Sequence, residues 1–262
     1  MKKSSAIFLS FFNLILFIGV LIVNFLANYL PLNGKNTGVL SDIYPNLFVP
    51  AGLTFSIWGL IYILLAVFVI YNIIKAFKNI DLYEKFKSIN LLFAFTSILN
   101  ICWIFAWHYM KISFSVVVML LFLISLLAIF ILQKKLEKEN KLSLAFKIPI
   151  EVYFGWISVA SIANITALLV HYGWNGFGVS QQIWTIIMII IGGILGILML
   201  LRHNAIAYSA VIIWAYLGII IKRSASTPVY NEIIMTSYIV IALIAITMIR
   251  SAYLLIKKGS NN

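Results

Sequence analysis

The chain of 262 residues is 63% hydrophobic and 10% charged, with a mean hydropathy of +1.08; a soluble domain carries about 25% charged residues and under half apolar ones. This excludes a water-soluble enzyme, because a small domain cannot cover so much apolar surface with a polar coat. The net charge of +12 does not point to nucleic acid, since the basic residues fall in short gaps between apolar runs, and the single cysteine, Cys102, excludes an internal disulfide or thiolate metal cluster.

Eight apolar stretches approach or exceed the roughly 20 residues that a helix needs to cross a bilayer core. They fall at 6–30, 50–73, 88–109, 113–133, 148–171, 184–202, 204–221 and 232–256. The expected fold is an all-α integral membrane protein of about eight transmembrane helices. The first stretch follows Lys2 and Lys3 as a secretory signal would. Its apolar run is too long for a signal and no small-x-small site closes it, so it reads as a retained helix.

The second stretch opens at Pro50, which suits a first helical turn because proline lacks the amide hydrogen that would be orphaned there. Phe55, Trp58 and Tyr62 follow at i, i+3 and i+7, on one helix face. The third stretch carries Asn100, Trp103 and Trp107 at the same spacing, and the fifth places Tyr153, Trp156, Ala160 and Asn164 on one stripe. At 1.5 Å per residue, Trp58, Asn100, Trp103 and Asn164 all fall about 10–15 Å below one membrane surface. Two readings stand side by side. The aromatics pack helices and the amides link them, or the shared depth marks a pocket for a flat, largely apolar ligand.

Other residues carry weaker signals. Glu151 is a carboxylate inside a predicted span, with Lys147 one turn away, and it reads as locally paired in preference to a proton relay. His108 and His171 sit at the mouths of the third and fifth helices, where a haem or metal pair is conceivable but an interfacial role is commoner. Trp174 and Trp184 read as ordinary interfacial anchors. Gly192 and Gly196 give a G-x-x-x-G spacing in the sixth helix, a weak pointer to a homodimer. Only Arg202 and His203 separate the sixth and seventh stretches, and Arg250 reads as a snorkelling end residue.

Fourteen of the 19 basic residues fall at the N-terminus, in the gaps 74–87 and 134–147, at Arg202 and in the tail from Lys257. The opposite gaps hold Lys35, Lys111, Lys222 and Arg223. Basic residues stay cytoplasmic, so both termini are expected inside and the loop 31–49 outside. No alternating strand pattern and no internal repeat is visible, and no Walker loop, H-E-x-x-H or G-x-S-x-G motif occurs.

Three segments carry a family resemblance. FVPAGLTFSIWGLIY (48–62), LNICWIFAW (99–107) and YFGWISVASIAN (153–164) resemble the second-, third- and fifth-helix motifs of the TspO/MBR family, the translocator proteins or tryptophan-rich sensory proteins. The chain departs from those motifs in three places. Ala51 stands for the second of two prolines, Leu47 or Phe48 for a tryptophan, and Val152 for the proline before the helix-5 tyrosine. The resemblance implies a five-helix domain over 1–172 and a three-helix extension over 173–262. It implies a tetrapyrrole such as protoporphyrin, or a sterol-like ligand, bound beneath the loop joining helices 1 and 2. The ligand-binding residues it implies are Pro50, Phe55, Trp58, Tyr62, Asn100, Trp103, Trp107, Tyr153, Trp156, Ala160 and Asn164.

The expectation is therefore a ligand-binding protein of the bacterial cell membrane, for sensing or transport, with membrane lipid and a small apolar molecule as partners. No catalytic residue, metal site or required cofactor is assigned. Two competing classes are a permease component, which would call for several ionisable groups along helix interiors, and an enzyme degrading porphyrin, which would call for an acid–base pair within the span.

Overall fold

A computed structural model describes residues 2–30, 32–139 and 142–259. Pro31 of the predicted outer loop and Lys141 of the 134–147 gap lie outside the described residues. Eight helices are long and apolar enough to cross a membrane, and no strand occurs among the described residues. In chain order the helices are α1 (Lys3–Tyr29), the short α2 (Thr37–Asp42), α3 (Ile57–Lys78), the short α4 (Ile80–Lys85), α5 (Lys87–His108), α6 (Ile112–Glu139), α7 (Leu144–His171), α8 (Gln181–His203), α9 (Ile206–Ser224) and α10 (Asn231–Gly259). Large apolar side chains such as Phe8, Ile63, Ile124, Leu195 and Ile249 stay exposed on the outer helix faces. Lipid satisfies such a surface and water does not.

Hydropathy places the spans, and a few polar residues set where they stop. Asn36, Asn79, Ser143 and Ser180 each turn a side-chain oxygen onto a backbone N–H two or three residues ahead, capping α2, α4, α7 and α8. Asn204 ends α8 in the left-handed conformation, φ 49°, and only Ala205 separates it from α9. Two starts differ from the sequence expectation. The second span opens as a 3-10 turn at Gly52–Ser56 before the α-helix begins at Ile57, so Pro50 precedes the first turn and does not lie inside it. Helix α7 starts at Leu144, four residues early, because Ser143 caps it; Pro149 then lies within the helix.

Helices α1, α3, α5, α6 and α7 form one bundle, and α8, α9 and α10 pack on one another and join it through α9 against α7. The joint is close. A Cβ on Gly155 would lie 2.9 Å from the Tyr208 carbonyl oxygen, so only glycine admits the two backbones at that distance. In the second group a Cβ on Gly192 would collide with the Tyr216 hydroxyl, one on Gly193 with Val240, and one on Gly196 would touch Ile244. The G-x-x-x-G face is therefore covered by α9 and α10 of the same chain.

Two buried amide chains tie the bundle. Asn13 donates to Asn90, which donates to Asn72, joining α1, α5 and α3. Asn24 donates to Asn100 at 2.7 Å and Asn100 to the Tyr153 hydroxyl at 3.0 Å, joining α1, α5 and α7. Toward the end of the bundle that carries the basic gaps, Glu151 is buried and pairs with Lys134 of α6 at 2.9 Å, while Lys147 pairs with Glu137. The glutamate is locally paired, but across to α6 and not along its own helix. Arg250 is exposed.

Candidate ligand site among three helices

At the opposite end of the bundle, aromatic rings from α3, α5 and α7 converge on Trp58. Its ring lies 5.6 Å from Tyr62 and 6.3 Å from Trp103, both stacked, and 6.2 Å from Tyr153 and from Trp156, both edge-on. Trp103 stacks in turn on Trp107 at 5.9 Å, and Phe55 meets Trp156 edge-on at 5.9 Å. These offset and edge-to-face arrangements suit the ring quadrupole. The i, i+3, i+7 spacing produces them because each helix presents one aromatic face to the same axis.

A small cavity of about 40 Å³ sits among these rings. Its wall includes Pro50, Phe55, Trp58, Trp103, Trp107, Trp156, Ala160 and Asn164, eight of the eleven residues singled out in the sequence. Tyr62, Asn100 and Tyr153 stand behind this wall, joined to it through Trp58 or through the Asn100–Tyr153 bond. Sequence reasoning passed over Ala163 and Ala167, which with Ala160 form a stripe of small side chains that leaves the space open. Thr37 and Ser41 of α2 line it as well.

The two carboxamides divide between linking and lining. Asn100 is fully buried, accepts from Asn24 and donates to Tyr153, so it links helices. Asn164 lines the cavity but is held by Ser115 of α6 at 3.1 Å and by the Trp103 indole at 3.4 Å. Two buried polar atoms beside Trp58 have no well-formed hydrogen bond among the described residues: the Trp156 indole N–H and the Tyr62 hydroxyl, the latter close to Asn100. Such orphans are uncommon, and each costs about 1–3 kcal/mol.

The cover over the site is pinned at several points. His108 is completely buried, with Nδ1 3.1 Å from the Leu32 carbonyl and Nε2 3.1 Å from the Thr37 hydroxyl. A carbonyl only accepts, so Nδ1 carries the proton and Nε2 accepts from Thr37. Both nitrogens are committed to holding the loop, which leaves His108 no lone pair for a metal. His171 is exposed and meets Tyr44 edge-on at 5.9 Å. Burial pushes the Tyr44 phenol up, so it stays neutral in this cover. Among the described residues no group of three or more His, Cys, Asp or Glu side chains is placed to hold a metal.

Helix α9 braces the same cover from the other side. The Ala51 amide donates to the Gly218 carbonyl at 3.0 Å, and the Trp214 indole donates to the Thr54 carbonyl at 2.9 Å. A Cβ on Gly218 would collide with the Thr54 hydroxyl. The turn leading into α3 is therefore held by the C-terminal helices, a contact across 160 positions that no local pattern announces.

A second, partly open cavity of about 390 Å³ lies outside the ring cluster, between α7, α8 and the segment at 46–48. Trp174 and Trp184, which the sequence suggested as interfacial anchors, line it.

A sequence model of the TSPO-like protein family matches residues 10–250, a range that reaches into all eight long helices. No curated protein and no solved structure matches the chain.

Proposed function

Since the chain belongs to the TSPO-like family and is an integral membrane protein of the TspO type, we propose that it binds a flat, largely apolar ligand among α3, α5 and α7 for sensing or transport. A tetrapyrrole such as protoporphyrin or haem, or a sterol-like molecule, has the required shape. The observation that carries this reading is the Trp156 indole N–H, buried without an acceptor in a wall that also holds Trp58, Trp103 and Trp107. A polar acceptor on a planar ligand would satisfy that donor while the indoles stack on its faces.

The cavity has room for only a few waters, each of which needs about 10–15 Å³. Ligand pockets run to about 300–1,000 Å³. Binding therefore requires the cover, formed by α2 and the turn at 50–56, to lift and the rings to part. The reading is one of binding and not of catalysis, and the rim carries hydroxyls from Thr37 and Ser41 in place of an acid–base pair.

Tryptophan fluorescence of the purified protein, titrated with protoporphyrin, haem and a sterol, tests the proposal. Saturable quenching by one of the three identifies the ligand class, and quenching by none refutes it. Trp156→Phe should weaken that binding by about 1 kcal/mol, as a lost hydrogen bond would, and leave the unliganded protein as stable or more so. We also propose that both termini face the cytoplasm of a bacterial cell. Cysteines placed at Asn36 and Glu139 in a Cys102→Ala background should then label oppositely with an impermeant maleimide in intact cells.

A further inference from the structure

The 390 Å³ cavity at the seam of α7 and α8 differs from the ring-walled one in size, lining and chemistry. Its body is aliphatic: Ile162, Ile165 and Leu169 of α7 face Met188 of α8. Its rim is polar and exposed, with the Trp174 indole N–H and the Asn175 amide N–H groups as donors and the Gln181 carboxamide as both donor and acceptor; none of the three is engaged by another side chain among the described residues, and all three line the cavity. Asn46 is already spent on the Tyr44 carbonyl and on the Phe48 and Val49 amides, and the Trp184 indole on the Gly176 carbonyl. No charged side chain lines the space.

The depth follows from the helix rise. Met188 lies seven residues into α8 and Ile162 nine residues below the end of α7, so the aliphatic body reaches about 10–13 Å below the rim. The rim tryptophans stand where indoles meet a membrane surface. A molecule that fits carries a neutral head that accepts hydrogen bonds and one flexible aliphatic chain. An ionised head would meet no counter-charge there.

We infer that the α7–α8 seam is a binding site for a neutral single-chain lipid, with its hydroxyl or ester head at Trp174, Asn175 and Gln181 and its chain between Ile165 and Met188. The site does not depend on the tetrapyrrole proposal. Helix α7 and the segment 46–50 form a party wall, with Ile162, Ile165 and Leu169 toward the lipid and Ala160, Ala163 and Ala167 toward the ring cluster.

The test uses the full chain in phosphatidylcholine nanodiscs and a monoacylglycerol carrying a diazirine on its chain. Photolysis should label residues within 162–188, saturably, and a tenfold excess of monoolein should remove most of that label. The excess phosphatidylcholine already present does not compete. Ile165→Trp fills the cavity and should abolish the label. Gln181→Leu, at an exposed helix start that tolerates change, should reduce apparent affinity severalfold without moving the label. Trp103→Leu, in the other cavity, should leave labelling intact even if it abolishes tetrapyrrole binding. Label spread evenly over the outer faces of α1, α6 and α10, or label undiminished in both seam variants, overturns the assignment.

Discussion

The two groups of helices are held together by different means. Within α1 to α7 the interior is joined by side-chain amides: the chain Asn13, Asn90 and Asn72, the chain Asn24, Asn100 and Tyr153, and Asn164 on Ser115. Within α8 to α10 such links give way to glycines. Gly192, Gly193 and Gly196 let α9 and α10 approach, and hydroxyls bond directly to backbone carbonyls, Tyr216 to Ile189 at 2.7 Å and Ser209 to Gly196 at 2.8 Å. Lipid gives no hydrophobic push between helices, so close packing and internal hydrogen bonds are the two forces on hand, and each group relies on a different one. The lesson concerns tolerance. Amide links leave room between helices, and the ring-walled cavity lies among the amide-linked ones. Glycine packing leaves no such room among α8, α9 and α10 themselves, and the larger cavity lies at their seam with α7.

The contrast predicts a graded response to substitution. The largest loss is expected at Gly193→Leu, where the new side chain must displace Val240; overpacking of a tight core costs about 1–3 kcal/mol and sometimes more. A thermal melt in detergent reads this directly, and a variant that melts like the parent would mean the C-terminal helices are looser than their glycines suggest. Next comes Trp58→Leu. Removing the ring that touches four others should weaken tetrapyrrole binding by about 1–3 kcal/mol, while Trp184→Leu, in the other cavity, should not. Equal losses in the two variants would merge what is here drawn as two sites.

The smallest effect is expected at Asn100→Leu. It removes the bonds to Asn24, whose amide keeps the Val20 carbonyl, and to Tyr153, and interhelical hydrogen bonds in membranes are worth about 0.6–2 kcal/mol, so the melting point should drop modestly. Affinity measured by the same fluorescence titration should hold, because Asn100 stands behind the cavity wall. A loss of affinity with unchanged stability would bring Asn100 into the site and sharpen the amide-linked half into a ligand-reading half.

The spans were legible because hydropathy over some 20 residues is set by the bilayer and not by neighbours. The Trp58, Trp103 and Trp156 convergence was legible for a related reason: a straight helix converts sequence spacing into depth, so three faces at one depth can be placed before their partners are known. What stayed hidden was who meets whom. Asn24 is one of three asparagines in α1, and nothing local says that it reaches Asn100 and not another neighbour. The α9 brace on Thr54 and the larger cavity are products of helices that meet only after folding, so Trp174, Trp184 and Trp214 gave no sign of their contacts. His108 hinted at metal chemistry by its position, and only its two hydrogen bonds reveal a loop anchor.

The link between α8 and α9 bears on how the protein assembles during synthesis. Asn204 and Ala205 are all that connect them. An extended residue reaches about 3.5 Å, so the three steps from His203 to Ile206 span at most about 10 Å, little more than the 8–10 Å between the axes of touching helices. The pair is therefore tethered as a hairpin from the moment Ser224 is made, with its tip at Arg202 to Asn204 on one side of the bilayer, and neither helix has the slack to seek another neighbour. What remains for the nascent chain is to seat that preformed unit against α7 and to add α10 over its glycine face.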